Sequence, residues 1–135
     1  MEVSVPVVKL NKLSPVLVVD AIEPCLSFWV DRLGFTRVAE VPDGDRLGFV
    51  ILQKDGIEVM YQTRASVVAD HPGMAADLNG HSIVLFLTVD DLDQVAKAVA
   101  GAPLVKPRHK TFYGSEEIYV KEPGGHTVGF AQMGG

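Results

Sequence analysis

Residues 13–35 read Leu-Ser-Pro-Val-Leu-Val-Val-Asp-Ala-Ile-Glu-Pro-Cys-Leu-Ser-Phe-Trp-Val-Asp-Arg-Leu-Gly-Phe, and this stretch decides the fold. Its first part is apolar and rich in Val, which is typical of a β-strand. Pro24 suits the first turn of a helix, and Gly34 suits the position just after a helix end. The residues between them place an apolar stripe at helical spacing, made of Ile22, Cys25, Phe28, Trp29 and Leu33. The stretch therefore predicts a strand that leads directly into a helix.

The same pattern returns in the second half of the chain. Residues 82–89 read Ser-Ile-Val-Leu-Phe-Leu-Thr-Val and predict another strand. Asp90 or Asp91 is expected to cap a following helix that ends at Gly101. Its apolar face would consist of Leu92, Val95, Ala96 and Val99. The corner residues Asp20 and Asp91 are 71 positions apart in a chain of 135, which indicates an internal duplication.

Three strand-like stretches follow each predicted helix. They cover residues 35–41, 47–54 and 57–63 in the first half, and about 104–107, 116–121 and 126–132 in the second. Hairpin signals such as Asp55-Gly56 separate them. Each half therefore reads as a βαβββ module within one domain, residues 1–135. Module one covers about 13–66, a polar linker 67–80 and module two about 81–133, while 1–12 form an N-terminal arm.

The composition excludes several classes of protein. Hydrophobic residues make up 47% and charged residues 21% of the chain, which favours a globular protein with a real core. A net charge of −5 argues against a nucleic-acid partner, which needs clustered Lys and Arg. We expect no membrane partner, since no apolar run approaches the roughly 20 residues that span a bilayer. The single cysteine, Cys25, and the lack of a secretory signal favour a cytoplasmic location.

These motifs, in this order, resemble the vicinal oxygen chelate superfamily, which groups glyoxalases, bleomycin resistance proteins and dioxygenases. The resemblance rests on Val-Val-Asp, Phe-Trp and Arg-Leu-Gly-Phe in the first half. In the second half it rests on Val-Asp-Asp-Leu, Tyr-Gly-Ser-Glu-Glu and Glu-Pro-Gly-Gly-His. It implies an α+β fold in which two tandem βαβββ modules form an open, cupped, barrel-like sheet around a cavity. It also implies a homodimer.

The resemblance further implies a divalent metal held by His and Glu side chains in the cavity. Counted from the repeat, the four ligand positions fall on Leu13, Glu58, Val84 and Gly129. Only Glu58 carries a side chain that binds metals, so we expect neither a metal nor another cofactor. His81 lies close to one ligand position, but a three-residue slip would turn it to the other face of the strand. His71, His109 and His126 are expected at the surface.

We expect a ligand site rather than catalytic residues. Glu58 is either a cavity carboxylate or the partner of a cation such as Arg37, Arg46 or Arg64, and Met60 shares its face of the strand. Glu117 follows the Tyr-Gly motif and has either a ligand-binding or a structural role. The predicted ligand-binding residues are Glu58, Met60, Phe86, Tyr113 and Glu117.

Three functions fit these features. The first is a protein of the bleomycin-resistance type that binds a small aromatic or cationic molecule without a metal. The second is a metal-dependent lyase, dioxygenase or thiol transferase that uses a shifted ligand set around Glu58 and His81. The third is a scaffold dimer with a filled barrel, in which large side chains would occupy the place of a pocket.

Overall fold

The computed structural model describes residues 12–70, 72 and 84–134 of the chain. Three features of the sequence therefore lie outside the described residues. They are residues 1–11 of the arm, most of the 67–80 linker, and the histidines His71 and His81.

The first module contains four strands, two α-helices and one π-helix. Strand β1 leads into helix α1, whose last residue continues directly into a π-helix, and three antiparallel strands and a second helix follow. Their bounds are β1 Val16–Val19, α1 Glu23–Leu26, π-helix Ser27–Arg32, β2 Thr36–Asp43, β3 Arg46–Lys54, β4 Ile57–Thr63 and α2 Arg64–Asp70.

The second module repeats the order of one strand, one helix and three strands. Asp91 caps its helix, because its carboxylate accepts hydrogen bonds from the backbone N–H groups of Asp93 and Gln94. The bounds are β5 Val84–Thr88, α3 Leu92–Ala98, β6 Leu104–Lys110, β7 Ser115–Lys121 and β8 Thr127–Met133.

Each module forms its own four-stranded mixed sheet with the same topology. Sheet A has the order β1-β4-β3-β2, and sheet B has the order β5-β8-β7-β6. The first strand of each module pairs in parallel with the last, while the other neighbours are antiparallel. The identical topology confirms the predicted pair of βαβββ modules, arranged as open sheets.

The structure differs from the sequence prediction in two local ways. Strand β6 continues past Pro107 to Lys110, whereas the prediction ended it at the proline. A proline is tolerated there because β6 is the edge strand of its sheet and need not donate to a second neighbour. Helix α2 covers the start of the predicted linker, and it is anchored there by the buried Val67.

One core lies between the two sheets. Alternate residues of β1, β3 and β4 and of β7 and β8 enter it, together with the helical residues Cys25, Phe28 and Trp29 and with Leu92. The other face of each sheet, which we call its open face, therefore points away from this core. Arg32 also ties the π-helix to the end of α3, since it donates to the backbone oxygen of Ala100 at 2.7 Å.

A buried polar chain crosses the core between the modules. Trp29 donates its indole N–H to the Tyr61 hydroxyl at 2.8 Å, and Tyr61 donates to the carboxylate of Glu122 at 2.5 Å. Glu122, which is 2% exposed, also accepts from the backbone N–H of His126 at 2.5 Å. The indole of Trp29, the hydroxyl of Tyr61 and the carboxylate of Glu122 thus each have a hydrogen-bond partner, as buried polar groups require.

The sulfur of Cys25 lies beside this polar chain. Burial, together with the negative charge of Glu122, raises the pKa of the Cys25 thiol to about 12. The thiol therefore stays protonated at neutral pH, which argues against a thiolate nucleophile, and Cys25 packs among the apolar residues of the core.

No helix in the described part of the chain is both long and apolar enough to cross a membrane.

The buried chain predicts a specific loss of stability. Tyr61→Phe removes the hydroxyl that joins Trp29 to Glu122 and leaves both without that partner. We expect the free energy of unfolding to fall by about 1–3 kcal/mol in urea denaturation, the cost of unsatisfied buried polar groups. Ser27→Ala, which removes an exposed hydroxyl bonded only to Pro24, should change stability by less than about 0.5 kcal/mol. Equal effects of the two substitutions would contradict this role for Tyr61.

Candidate functional site

On the open face of sheet A, Glu58 lies beside the Asp55-Gly56 turn that joins β3 to β4. Gln53, directly opposite on β3, donates its amide to one carboxylate oxygen of Glu58 at 2.6 Å. The other oxygen accepts from the Ser14 hydroxyl and lies 2.9 Å from the Lys12 ammonium. Glu58 is therefore paired with a cation, and the cation is Lys12 rather than the arginines considered from sequence.

These partners favour the charged form of Glu58. Hydrogen bonds from Ser14, then from Gln53 and Lys12, lower the pKa of the Glu58 carboxyl to about 2. A carboxylate with such a low pKa is a poor general base near neutral pH, because it holds a proton too weakly.

The residue that contacts Glu58 from just before β1 lies one position after the ligand position counted from the sequence. Val16 pairs with Met60, and Ser14 reaches Glu58 two residues earlier on each strand. The sequence count placed Leu13 at this ligand position, but Leu13 precedes the strand and is 91% exposed. The neighbours of Glu58 are thus a hydroxyl, an amide and an ammonium, a donor set that does not fit a divalent metal.

The open face of sheet B is built around Glu117. This carboxylate is 1% exposed, although it lies on the face opposite the core. Three hydroxyl groups cover it: Tyr113 and Ser115 each donate to Oε2 at 2.7 Å, and Tyr119 donates to Oε1 at 2.9 Å. The Glu-Glu pair of the sequence motif is therefore divided between the two faces, since Glu116 pairs with Arg108 instead.

The hydroxyl donors fix the charge states in this cluster. The hydrogen bond from Tyr113, the largest of several causes, lowers the pKa of Glu117 despite its burial. Burial and the contact with Glu117 raise the pKa of Tyr119 to about 12, and the hydrogen bond to Glu117 also raises the pKa of Tyr113. At neutral pH the cluster is one carboxylate held by neutral phenols.

A cavity of about 600 Å³ opens beside this cluster. Its lining combines aromatic and aliphatic side chains with a few polar groups, the mixture that small-molecule sites share. Phe112, which is 100% exposed, stands at its rim edge-on to Tyr113. The lining consists of Val84, Val105, Lys106, His109, Lys110, Thr111, Phe112, Tyr113, Glu117, Tyr119 and Thr127.

The wall of this cavity depends on a glycine. Tyr119 pairs with Gly129 on the neighbouring strand, and a Cβ atom at position 129 would lie 2.3 Å from the Tyr119 ring. The ring thus covers the position at which the sequence count placed the fourth metal ligand. The missing side chain at Gly129 lets Tyr119 reach Glu117.

His109 was expected at the surface and instead lines the cavity. It pairs with Glu117 across the strands, and its ring lies nearly parallel to that of Tyr119, with centroids 6.3 Å apart. Its Nδ1 donates to the backbone oxygen of Pro107 at 2.8 Å, which leaves Nε2 for a ligand. Sequence reasoning missed it because an irregular pairing between Lys106 and His109 changes which face β6 presents.

The five predicted ligand-binding residues fall into two groups. Tyr113 and Glu117 are in contact at the cavity on sheet B, and Phe86, 50% exposed, lies on the same open face two strands away. Glu58 and Met60 share the open face of sheet A, as the strand alternation predicted. Within one chain the two groups lie on different sheets, each on the face opposite the shared core.

No group of three His, Cys, Asp or Glu side chains within residues 12–70, 72 and 84–134 is arranged to hold a metal ion. Glu117 and His109 are neighbours, but the carboxylate is already occupied by three hydroxyl donors. The side chains in the described part of the chain therefore do not fit the metal that the family resemblance implies.

Comparison with known proteins identifies a family. The model of the Glyoxalase/Bleomycin resistance protein/Dioxygenase superfamily matches residues 9–130. No curated protein matches the sequence.

Solved structures share the fold at low sequence identity. TioX from Micromonospora sp. ML1 is 20% identical, with a TM-score of 0.72 over 90% of this chain and 98% of its own. A glyoxalase/bleomycin resistance protein/dioxygenase from Nocardioides is 16% identical, with a TM-score of 0.73 over 96% and 87%. Lactoylglutathione lyase from Agrobacterium tumefaciens is 16% identical, with a TM-score of 0.68 over 90% and 92%. At these identities the likeness extends to the fold alone.

The environment of Glu58 predicts a pH dependence. Since its folded pKa is about 2 and its ordinary value 4.5, its contribution to stability is complete above pH 4.5 and is lost as the pH falls toward 2. Denaturation of the wild type and of Glu58→Gln should therefore differ most at neutral pH and converge as the pH approaches 2. An NMR titration that gave Glu58 an ordinary pKa would contradict the proposed contacts.

The Gly129–Tyr119 pair predicts a second effect. Gly129→Ala places a methyl group against the Tyr119 ring and should displace it from Glu117. We expect a loss of about 1–3 kcal/mol in unfolding free energy, the usual cost of overpacking. The pKa of Tyr119, followed by ultraviolet titration, should fall from about 12 toward its ordinary value. Ser27→Ala, which removes an exposed hydroxyl far along the chain from this pair, is the control and should leave the titration of Tyr119 unchanged.

Proposed function

Since the chain belongs to the Glyoxalase/Bleomycin resistance protein/Dioxygenase superfamily, we propose that it binds a small aromatic molecule without a metal, in the manner of the bleomycin-resistance branch. The proposed site is the cavity on the open face of sheet B. The observation that carries the proposal is the Glu117 cluster, in which a buried carboxylate holds two tyrosine rings against the cavity.

The cluster supports binding because it is built before a ligand arrives. Tyr113 and Tyr119 are fixed by hydrogen bonds to opposite oxygens of one carboxylate, so their rings lose little freedom when a ligand stacks on them. Flat aromatic ligands gain favourable offset or edge contacts with such rings. The cavity volume of about 600 Å³ is in the range of small-molecule sites.

The side chains at the family positions support a metal-free mode. Ser14, Val84 and Gly129 cannot supply strong ligands, and the ammonium of Lys12 stands where a cation would bind Glu58. A metal-dependent lyase, dioxygenase or thiol transferase built on Glu58 and His81 is the second candidate. It would require a metal ion to displace Lys12 from the carboxylate. A ligand-free scaffold dimer is the third, and the open cavity beside Glu117 disfavours it.

The remaining features of the proposal concern assembly and location. Large apolar side chains are exposed on the open face of sheet B, including Val84 and Phe86, and a second copy of the chain is the partner we propose for this surface. We also propose a cytoplasmic location, consistent with the protonated, buried thiol of Cys25.

A neutral aromatic probe tests the proposed site. We expect 2-naphthamide to raise the melting temperature of the protein, because a ligand that binds only the folded state stabilises it by about 2.7 kcal/mol at a hundredfold excess over Kd. Phe112→Ala and Tyr119→Leu should each reduce the effect. The exposed Phe112 can be removed without disturbing the fold. Val68→Ala, which shortens an exposed side chain on α2, should leave binding unchanged.

The same assay separates the alternatives. A large stabilisation by Zn, Ni, Mn or Fe that disappears in Glu58→Gln would favour the metal-dependent enzyme and overturn the metal-free proposal. No effect of either the metals or the aromatic probe would favour the scaffold.

A further inference from the structure

The charges around the cavity on sheet B differ from those of the whole chain. The chain carries a net charge of −5, yet its cavity is lined by Lys106, Lys110 and His109 against the single carboxylate of Glu117. Lys121 adds another ammonium to the same open face, in the row of Val84 and Thr127. Positively charged side chains are therefore clustered at this site, although the protein as a whole is acidic.

The carboxylate of Glu117 is not available to a charged ligand. Its oxygens accept from Tyr113, Ser115 and Tyr119, and the side chain is almost fully buried. A ligand cation would have to displace these hydroxyl donors to pair with it. Glu117 therefore organises the wall of the cavity, and the groups that meet a ligand's charge are the lysines.

Lys106 and Lys110 differ from Arg108 of the same strand in their ion pairs. Arg108 is engaged by two acids: Asp93 at 2.7 Å from its Nη1, and Glu116. Neither Lys106 nor Lys110 takes part in an ion pair with any residue in the described ranges. Both are exposed and line the cavity: Lys106 lies on the open face, and Lys110 lies at the rim, at the position of β6 that pairs with Glu116.

A shift in the pairing of β6 with β7 explains why Lys106 lies at the cavity and Arg108 does not. Lys106 pairs with Tyr119 and His109 pairs with Glu117, so residues an odd number of positions apart share the open face. A regular strand would place them on opposite faces. The irregularity between them thus brings a cation and an imidazole to the cavity and leaves Arg108 with the acids outside it.

We propose that the ligand of this cavity is an aromatic anion, a flat ring that carries a carboxylate or sulfonate group. Its ring packs against Tyr119 and Phe112, and its anionic group pairs with the ammonium groups of Lys106 and Lys110. This rests on the proposed function and narrows it, because it selects anionic over cationic ligands. Charge-assisted hydrogen bonds of this kind are stronger than neutral ones and define ligand orientation.

Three naphthalene probes of matched shape test the charge preference. Binding of 2-naphthoate, 2-naphthamide and 2-naphthylmethylammonium to the full chain is measured by calorimetry at low salt. We expect 2-naphthoate to bind about tenfold or more tightly than the amide, the effect of one charge-assisted hydrogen bond. The ammonium probe should bind most weakly, and added salt should reduce the advantage of the carboxylate.

Substitution of the lysines identifies the groups responsible. Lys106→Gln and Lys110→Gln should each weaken 2-naphthoate binding and leave 2-naphthamide unchanged. Lys97→Gln, an equal change of charge on the exposed side of α3, should affect neither probe.

The outcomes separate this inference from the proposed function. Equal affinity for the three probes, or tightest binding of the ammonium compound, would overturn the anionic ligand while the aromatic site stands. Binding of 2-naphthoate that is insensitive to both lysine substitutions would also overturn it. The failure of every probe to bind would reject the aromatic site itself.

Discussion

The hydrogen bond from the Tyr61 hydroxyl to the carboxylate of Glu122 is the interaction on which the joining of the two modules depends. The carboxylate belongs to the last hairpin of the second module, yet its hydroxyl partner is Tyr61 in the first. Through Tyr61 it also satisfies the indole of Trp29, the largest side chain of the core. A buried carboxylate without such partners costs several kcal/mol, so it strongly penalises any arrangement of the modules that separates Tyr61 from Glu122. Gly124 supports this contact, since a Cβ there would meet Val19, Glu122 and Cys25.

This shared core determines where ligands can be bound. One face of each sheet packs into the core, so the polar and aromatic groups that could bind a ligand lie on the opposite face. The two modules have used that face differently. In module one Glu58 is neutralised by an ammonium and by local hydrogen bonds, whereas in module two Glu117 is covered by hydroxyl groups that belong to aromatic rings. The same residue type is therefore paired with a cation on one open face and holds aromatic rings beside a cavity on the other.

The sequence predicted the architecture well, because its signals are local. The strand-to-helix corners, the Asp55-Gly56 turn and the alternation around Glu58 and Met60 each depend on a few adjacent residues. The site was predicted only in part. Tyr113 and Glu117 follow from the motif, but the role of Lys12 needs a contact across 46 positions, and that of His109 needs an irregular strand pairing. Ser14 was missed for a simpler reason, since the position counted from the sequence lies one residue before it.

The separation of the open faces has a consequence for how such a protein changes over time. Among the described residues, the partners of Glu58 on one open face and those of Glu117 on the other have no member in common, and the shared core lies on the opposite face of each sheet. Substitutions on the two faces should therefore combine additively. A duplicated module of this kind offers two independent surfaces on one stable support. One surface can acquire a new ligand while the other retains its old role, without a second gene.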